Sequence, residues 1–213
     1  MVILKRISLL IIALLLTACT PENATKAESV TKSYRTQPVV KLVEPPGNAM
    51  LLEWNSDNMD RGAHDYETAA HQRLVVDLEY SKVQRGDVIY FSTPEFTNKN
   101  PNATILDFQI SRVVGLPGEY IEIKDGQVYI DDRKLGYFYS KALMRGLDEK
   151  RYFEQSKEDK GWREYFSTDM KSQKIPANAV FVLGDNWWRS FDSRDFGAVP
   201  IENLEGKVLG YKK

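Results

Sequence analysis

From Val39 onward the chain reads as a succession of short apolar runs separated by polar breaks. Val39 to Val43 and Met50 to Trp54 are the first two, divided by Pro45-Pro46-Gly47. Leu74 to Leu78, Val88 to Phe91, Ile105 to Val114, Tyr120 to Ile123, Gln127 to Ile130, Ala179 to Leu183 and Gly206 to Tyr211 follow. Runs of this length, rich in β-branched and aromatic residues, predict strands rather than helices. The breaks carry turn chemistry. Gln84-Arg85-Gly86-Asp87 and Leu116-Pro117-Gly118-Glu119 are turns, and Lys124-Asp125-Gly126 between two strands predicts a hairpin. Ser56 to Gly62 and Thr93 to Ala103 read as loops. From Tyr137 to Lys174 the pattern changes to charged and aromatic residues, with helix-compatible stretches such as Lys141 to Gln155. That segment reads as an insertion or cap in a mainly β fold.

Residues before Val39 follow a different rule. Lys5 and Arg6 precede an apolar run, Ile7 to Leu16, shorter than the roughly 20 residues a spanning helix needs. This is the layout of a signal-peptide core. Leu16-Thr17-Ala18-Cys19 then places a leucine three residues ahead of the chain's sole cysteine, and Thr20 to Gln37 is polar. The predicted organisation is a signal peptide over 1–18, a polar tether over 19–38, a β core over 39–136 and 175–213, and the charged insertion over 137–174. One cysteine excludes an internal disulfide, and two distant histidines give no zinc-ligand spacing. Neither a metal nor any other cofactor is expected. The 213 residues carry 29 Lys and Arg against 30 Asp and Glu. Loss of Lys5 and Arg6 with the leader would leave 27 against 30, a charge of about −3, which gives no footprint for nucleic acid.

The densest chemistry lies in GDNWWRSFDSRDFG, Gly184 to Gly197. Acid, amide, hydroxyl and guanidinium groups crowd into one segment that follows an apolar strand. Asp192 and Arg194 suit a bidentate pair, with Ser190 and Ser193 as further donors. Of Trp187 and Trp188, one is expected in the core and the other exposed.

Four stretches together, RGDVIYF from Arg85, ISRVVGLPGEYIEI from Ile110, the hairpin strand VYID from Val128, and the Gly184 block, resemble the type I signal peptidases. These are the serine–lysine leader peptidases, and the stretches occur in that family's order across roughly Asn55 to Gly210. The resemblance implies a coiled antiparallel β-sheet fold at the outer face of the bacterial cell membrane, with an insertion between the GLPGE and GDN blocks. The cysteine motif likewise resembles the bacterial lipobox, which implies lipid attachment at Cys19. Two or more lipid chains suffice for stable anchoring.

In the resembled family the nucleophile is a serine and the base a buried neutral lysine. Here the matching positions hold Asn58, within Ser56-Asp57-Asn58-Met59-Asp60-Arg61, and Ser111, within Gln109-Ile110-Ser111-Arg112. The GLPGE turn fixes the second register; the first is looser, and its alternative at Ala49-Met50 also lacks a hydroxyl. An amide is a very poor nucleophile, and an unperturbed serine is no base near neutral pH. Ser56 resembles an oxyanion donor, Ser190 the hydroxyl that orients the lysine, and Asp192 with Arg194 the structural pair beside the site. Asn58 and Ser111 are expected to face each other and to fill the old site. The expected function is therefore a catalytically silent homologue. It would bind an extended peptide or a signal-peptide-bearing protein, with an active signal peptidase as a further candidate partner. The alternative is a working signal peptidase with an altered catalytic group, such as Ser111 or Ser56 with His64 or His71.

Overall fold

The computed structural model describes residues 38–96, 105–156 and 162–213. The predicted signal peptide, Cys19 and the tether through Gln37 lie outside the described residues. Twelve strands form two sheets among the described residues. They are β1 (Leu42–Val43), β2 (Ala49–Leu52), β3 (Leu74–Asp77), β4 (Val88–Ser92), β5 (Phe108–Gly115), β6 (Tyr120–Lys124), β7 (Gln127–Ile130), β8 (Arg133–Lys134), β9 (Met170–Lys174), β10 (Ala179–Leu183), β11 (Val199–Pro200) and β12 (Leu204–Lys212). Three short helices join them: α1 (Glu149–Gln155), α2 (Arg163–Phe166) and α3 (Ser193–Phe196). None of the described helices is long and apolar enough to cross a membrane.

The larger sheet runs in the order β11-β10-β5-β4-β12-β3-β2, with β1 added to β12. All its pairings are antiparallel except β1 with β12. The Gly206–Tyr211 run, last of the apolar runs in the sequence, does not lie at an edge of the sheet. It sits near the middle, between β4 and β3. Register shifts at Phe181/Val182, Val208/Gly210 and Leu204/Gly206 mark irregularities that bend and twist strands, and the sheet curls. Trp54, Met59, Leu74, Val88, Ile110 and Val208 fill one face. Ile89, Phe91, Val113, Val180, Val182 and Val199 fill the other. Both faces of β5 and β10 are covered, so these strands read as continuous apolar runs rather than alternating ones.

The smaller sheet has the order β8-β7-β6-β9. Its β6–β7 hairpin pairs Lys124 with Gln127 across Asp125-Gly126, both at positive φ, 47° and 67°. That geometry is the type I′ turn expected from the Asp-Gly dipeptide. Strand β9 comes from the end of the charged 137–174 segment and pairs with β6. The aromatic residues of that segment, Tyr139 and Phe166 among them, pack with Ile121, Ile123 and Trp187 in one cluster. Much of the segment is thus apolar packing against the core. Its charges lie on the faces left over.

Candidate functional site

A single 3-10 turn, Asp57–Met59, carries Asn58. The Gly184 block grips this turn by its backbone. Asn186 donates its N–H to the Asn58 carbonyl at 2.9 Å and its amide Nδ2 to the Asp57 carbonyl at 3.0 Å. The Ser190 hydroxyl lies 3.1 Å from the Asn58 carbonyl and 2.8 Å from that of Asn186. A Cβ at Gly184 would sit 1.8 Å from Ser190 Oγ and 2.6 Å from the Asn58 carbonyl oxygen, so only glycine allows this approach. The block ends in α3, where Asp192 caps the helix in a capping box with Asp195. Asp192 also takes two 2.9 Å bonds from Arg194, the bidentate pair its spacing predicts. Ser193 accepts from the Val182 N–H, tying α3 to β10.

The Asn58 side chain points inward. Its Nδ2 donates to the Ile110 carbonyl at 2.8 Å, and its Oδ1 accepts the Trp54 indole N–H at 3.1 Å. The Ser111 hydroxyl donates to the same Ile110 carbonyl at 2.8 Å. Asn58 and Ser111 thus meet at one shared acceptor on β5, not in a direct bond to each other. Both are buried, Ser111 completely. Ser190 bonds backbone carbonyls of the 3-10 turn and its own loop, with no contact to Ser111 given by this geometry. Ser56 precedes the turn and lines an adjacent groove without capping it. His64 contacts Glu67, and His71 contacts the Ala63 carbonyl. Among the described residues neither imidazole bonds a serine. Met59 is fully buried core, and Trp187 is buried while Trp188 is 38% exposed.

Beside the turn lies a charge cluster that sequence reasoning missed. Arg112 directs Nε and Nη2 at the two oxygens of Asp185, 2.7 and 2.6 Å away, and Arg61 donates to Asp185 as well. Arg61 further binds Asp65 at 2.9 Å and the Pro38 carbonyl. Burial alone would raise the Asp185 carboxyl, but Arg112 and Arg61 outweigh it and hold it below the usual carboxylate range. Arg112 shows the reciprocal effect: burial disfavours its charge, and Asp185 more than restores it. The signal was present in the sequence, as Asp185 stands inside the Gly184 block and Arg112 follows Ser111. Only the fold brings Arg61 to both. Asp60, His64 and Glu67 place ligand atoms within 4.8 Å of one another. The Asp60 oxygens are already committed to the N–H groups of Gly62 and His64 and to Arg145.

The family model described as "Signal peptidase, peptidase S26" matches residues 49–211, and the chain belongs to that family. A signal peptidase I of Leptolyngbya laminosa is 32% identical over 142 residues, covering 65% of this chain and 59% of its own. The signal peptidase I V of Bacillus subtilis is 30% identical over 129 residues, 61% of this chain and 66% of that protein. The thylakoidal processing peptidase 1 of Arabidopsis thaliana is 28% identical, with 61% of this chain matched to 32% of it. The chain thus spans between a third and two thirds of the length of these relatives.

Proposed function

We propose that this chain is a lipid-anchored, catalytically silent signal peptidase homologue. It binds extended peptides at the outer face of the bacterial membrane and assists signal-peptide processing or surface-protein assembly. The observation that carries this reading is the pair of bonds into the Ile110 carbonyl. The amide of Asn58 and the hydroxyl of Ser111, which the resemblance aligns with the family's serine and lysine, both spend a proton on one backbone oxygen. A nucleophile needs a free lone pair and a base ready to take its proton. An amide nitrogen has no such lone pair, and no amine or imidazole bonds Ser111 among the described residues. Losing a whole nucleophile–base pair costs on the order of a million-fold in rate.

The test is cleavage of a purified pre-protein by the full chain in detergent. Wild type is expected to cleave no faster than buffer. The double variant Asn58→Ser with Ser111→Lys is expected to gain cleavage, because the Gly184 block still clamps the turn that presents residue 58. Wild-type cleavage well above background would overturn the silent reading and favour an active peptidase with an altered catalytic group.

Anchoring is tested separately. Radioactive palmitate fed to cells should label the wild-type protein and not Cys19→Ala. Label persisting in that variant, or mature protein that keeps Met1, would show an uncleaved leader instead of a lipid anchor.

A further inference from the structure

The groove beside Ser56 is bounded by two strand edges, one on β2 and one at the Phe108 end of β5, that among the described residues have no neighbouring strand. On one side, the Thr93 N–H bonds the Asp107 carbonyl and the Val113 N–H bonds the Asp87 carbonyl, both at 2.8 Å. These bonds set the phase of the β4–β5 ladder, so Phe108 and Ile110 turn their N–H and C=O away from β4. On the other side, the Lys212 N–H bonds the Arg73 carbonyl and sets the phase of β3. Leu52 then faces β3, and Leu51 and Glu53 face outward. Trp54 agrees with this phase, since its N–H and carbonyl both bond Thr68. An extended chain entering between Glu53 and Phe108 would find donors and acceptors on both flanks.

The space between these edges is an apolar cavity of about 470 Å³. Tyr90 and Phe108 stack at 5.3 Å along it, and Trp54 and Leu106 also line it. Leu106 and Phe108 are 48% and 42% exposed, an unusual share for large apolar side chains that stand together. Its inner end is closed. The Trp54 indole and the Asn58 amide bond each other there, and the Ile110 carbonyl already holds two donors. The free volume lies further out, among Trp54, Tyr90, Leu106 and Phe108.

The rim of this cavity is acidic. Glu53 and Asp107 border it, and Glu205 stands close enough to Tyr90 to add to the effect of burial in raising that phenol. Among the described residues no cation pairs with any of these three carboxylates. An anionic lipid surface would be repelled by such a rim, whereas a basic peptide would be drawn to it.

We propose that the groove selects an extended peptide carrying a bulky aliphatic or aromatic side chain next to lysine or arginine, laid as a strand between the Glu53 and Phe108 edges. This rests on the peptide-binding reading above and adds the chemistry of the ligand. The bulky side chain displaces water from the 470 Å³ cavity, and the basic side chain meets Glu53 and Asp107. A peptide with only small side chains would leave the cavity unfilled.

The experiment is fluorescence polarisation with the full chain in detergent and three labelled nine-residue peptides. One holds Lys-Leu-Lys-Phe at its centre, the second replaces Leu and Phe by Ala, and the third replaces both Lys by Asp. The first is expected to bind at least about tenfold more tightly than the second, the usual worth of a few methylenes in an apolar pocket. It should also bind about tenfold more tightly than the third, and lose affinity as salt is raised. A variant with Glu53→Lys and Asp107→Lys, its fold checked by circular dichroism, should prefer the acidic peptide. If no peptide binds, the peptide-binding reading falls and this proposal with it. If all three bind alike, the selectivity is overturned and that reading stands. Binding of phosphatidylglycerol vesicles in place of peptide, lost in Phe108→Ser, would make the face a membrane contact and overturn the proposal.

Discussion

Replacing Asp185 by alanine is expected to cost about 3–5 kcal/mol of stability, read as a lowered urea midpoint in equilibrium unfolding. Asp185 is 1% exposed and is the shared partner of Arg112 and Arg61. Its removal strands a guanidinium that is fully inside the protein. Arg61 keeps Asp65, but Arg112 keeps only the Gly86 carbonyl at 2.8 Å and the Tyr66 hydroxyl at 3.4 Å. Cation–π contact with Phe138 and Tyr139, 5.1 and 5.2 Å from the Arg112 guanidinium to the ring centres, does not replace a counter-ion. The companion variant Arg112→Met should be milder than Asp185→Ala, since Asp185 retains Arg61. Equal losses would mean that the cluster acts through packing and not charge. The same carboxyl sets an acid limit. Its pKa is depressed in the folded state, so its contribution is complete above the unfolded value of about 3.9 and is lost as pH falls through the folded one. Asp60 adds in the same direction: burial raises it, and bonds from Gly62, Arg145 and His64 more than reverse that. Wild type should therefore lose stability as pH drops below about 4, and Asp185→Ala should show a shallower slope there.

Trp187→Ala is expected to cost a further large amount, about 3–5 kcal/mol, measured in the same way. Trp187 is 1% exposed and packs with Phe181 and Leu183. Its ring lies 5.1 Å below the Arg194 guanidinium, which also donates to the Trp187 carbonyl at 2.7 Å. The side chain therefore couples the Gly184 block to both the core and the Asp192–Arg194 pair. Its indole N–H has no hydrogen-bond partner among the described residues. A buried donor left unpaired carries a penalty of about 1–3 kcal/mol. Trp187→Phe removes that penalty along with part of the ring, so it should cost far less than the alanine variant. A phenylalanine variant as unstable as the alanine one would show that the indole makes a bond to water or to a residue beyond those described.

Much of the fold was legible because its strands announce themselves locally. The Asp125-Gly126 dipeptide needs positive φ, and a two-residue turn of that kind fixes the β6–β7 register without help from the rest of the chain. The same holds for the bidentate pair of Asp192 and Arg194, two residues apart. The charged segment was less legible. Its acids and bases dominate the composition, but Tyr139 and Phe166 decide where it packs, and their partners lie elsewhere in sequence.

What the sequence determined by itself was the strand content, the turns, the family and the identity of the side chains at positions 58 and 111. Those follow from patterns a few residues long and from the order of short motifs. Tertiary structure decided the rest. It brought Asn58 to the Ile110 carbonyl, 52 residues away, where the neighbouring Ser111 hydroxyl also bonds, and gave Asp185 a second arginine from 124 residues upstream. It also placed β12 inside the sheet and left the edges of Glu53 and Phe108 open across an acidic, apolar groove. Such outcomes depend on which strand lies beside which. Pairing between distant strands is set by the packing of the whole sheet, and no single segment carries it.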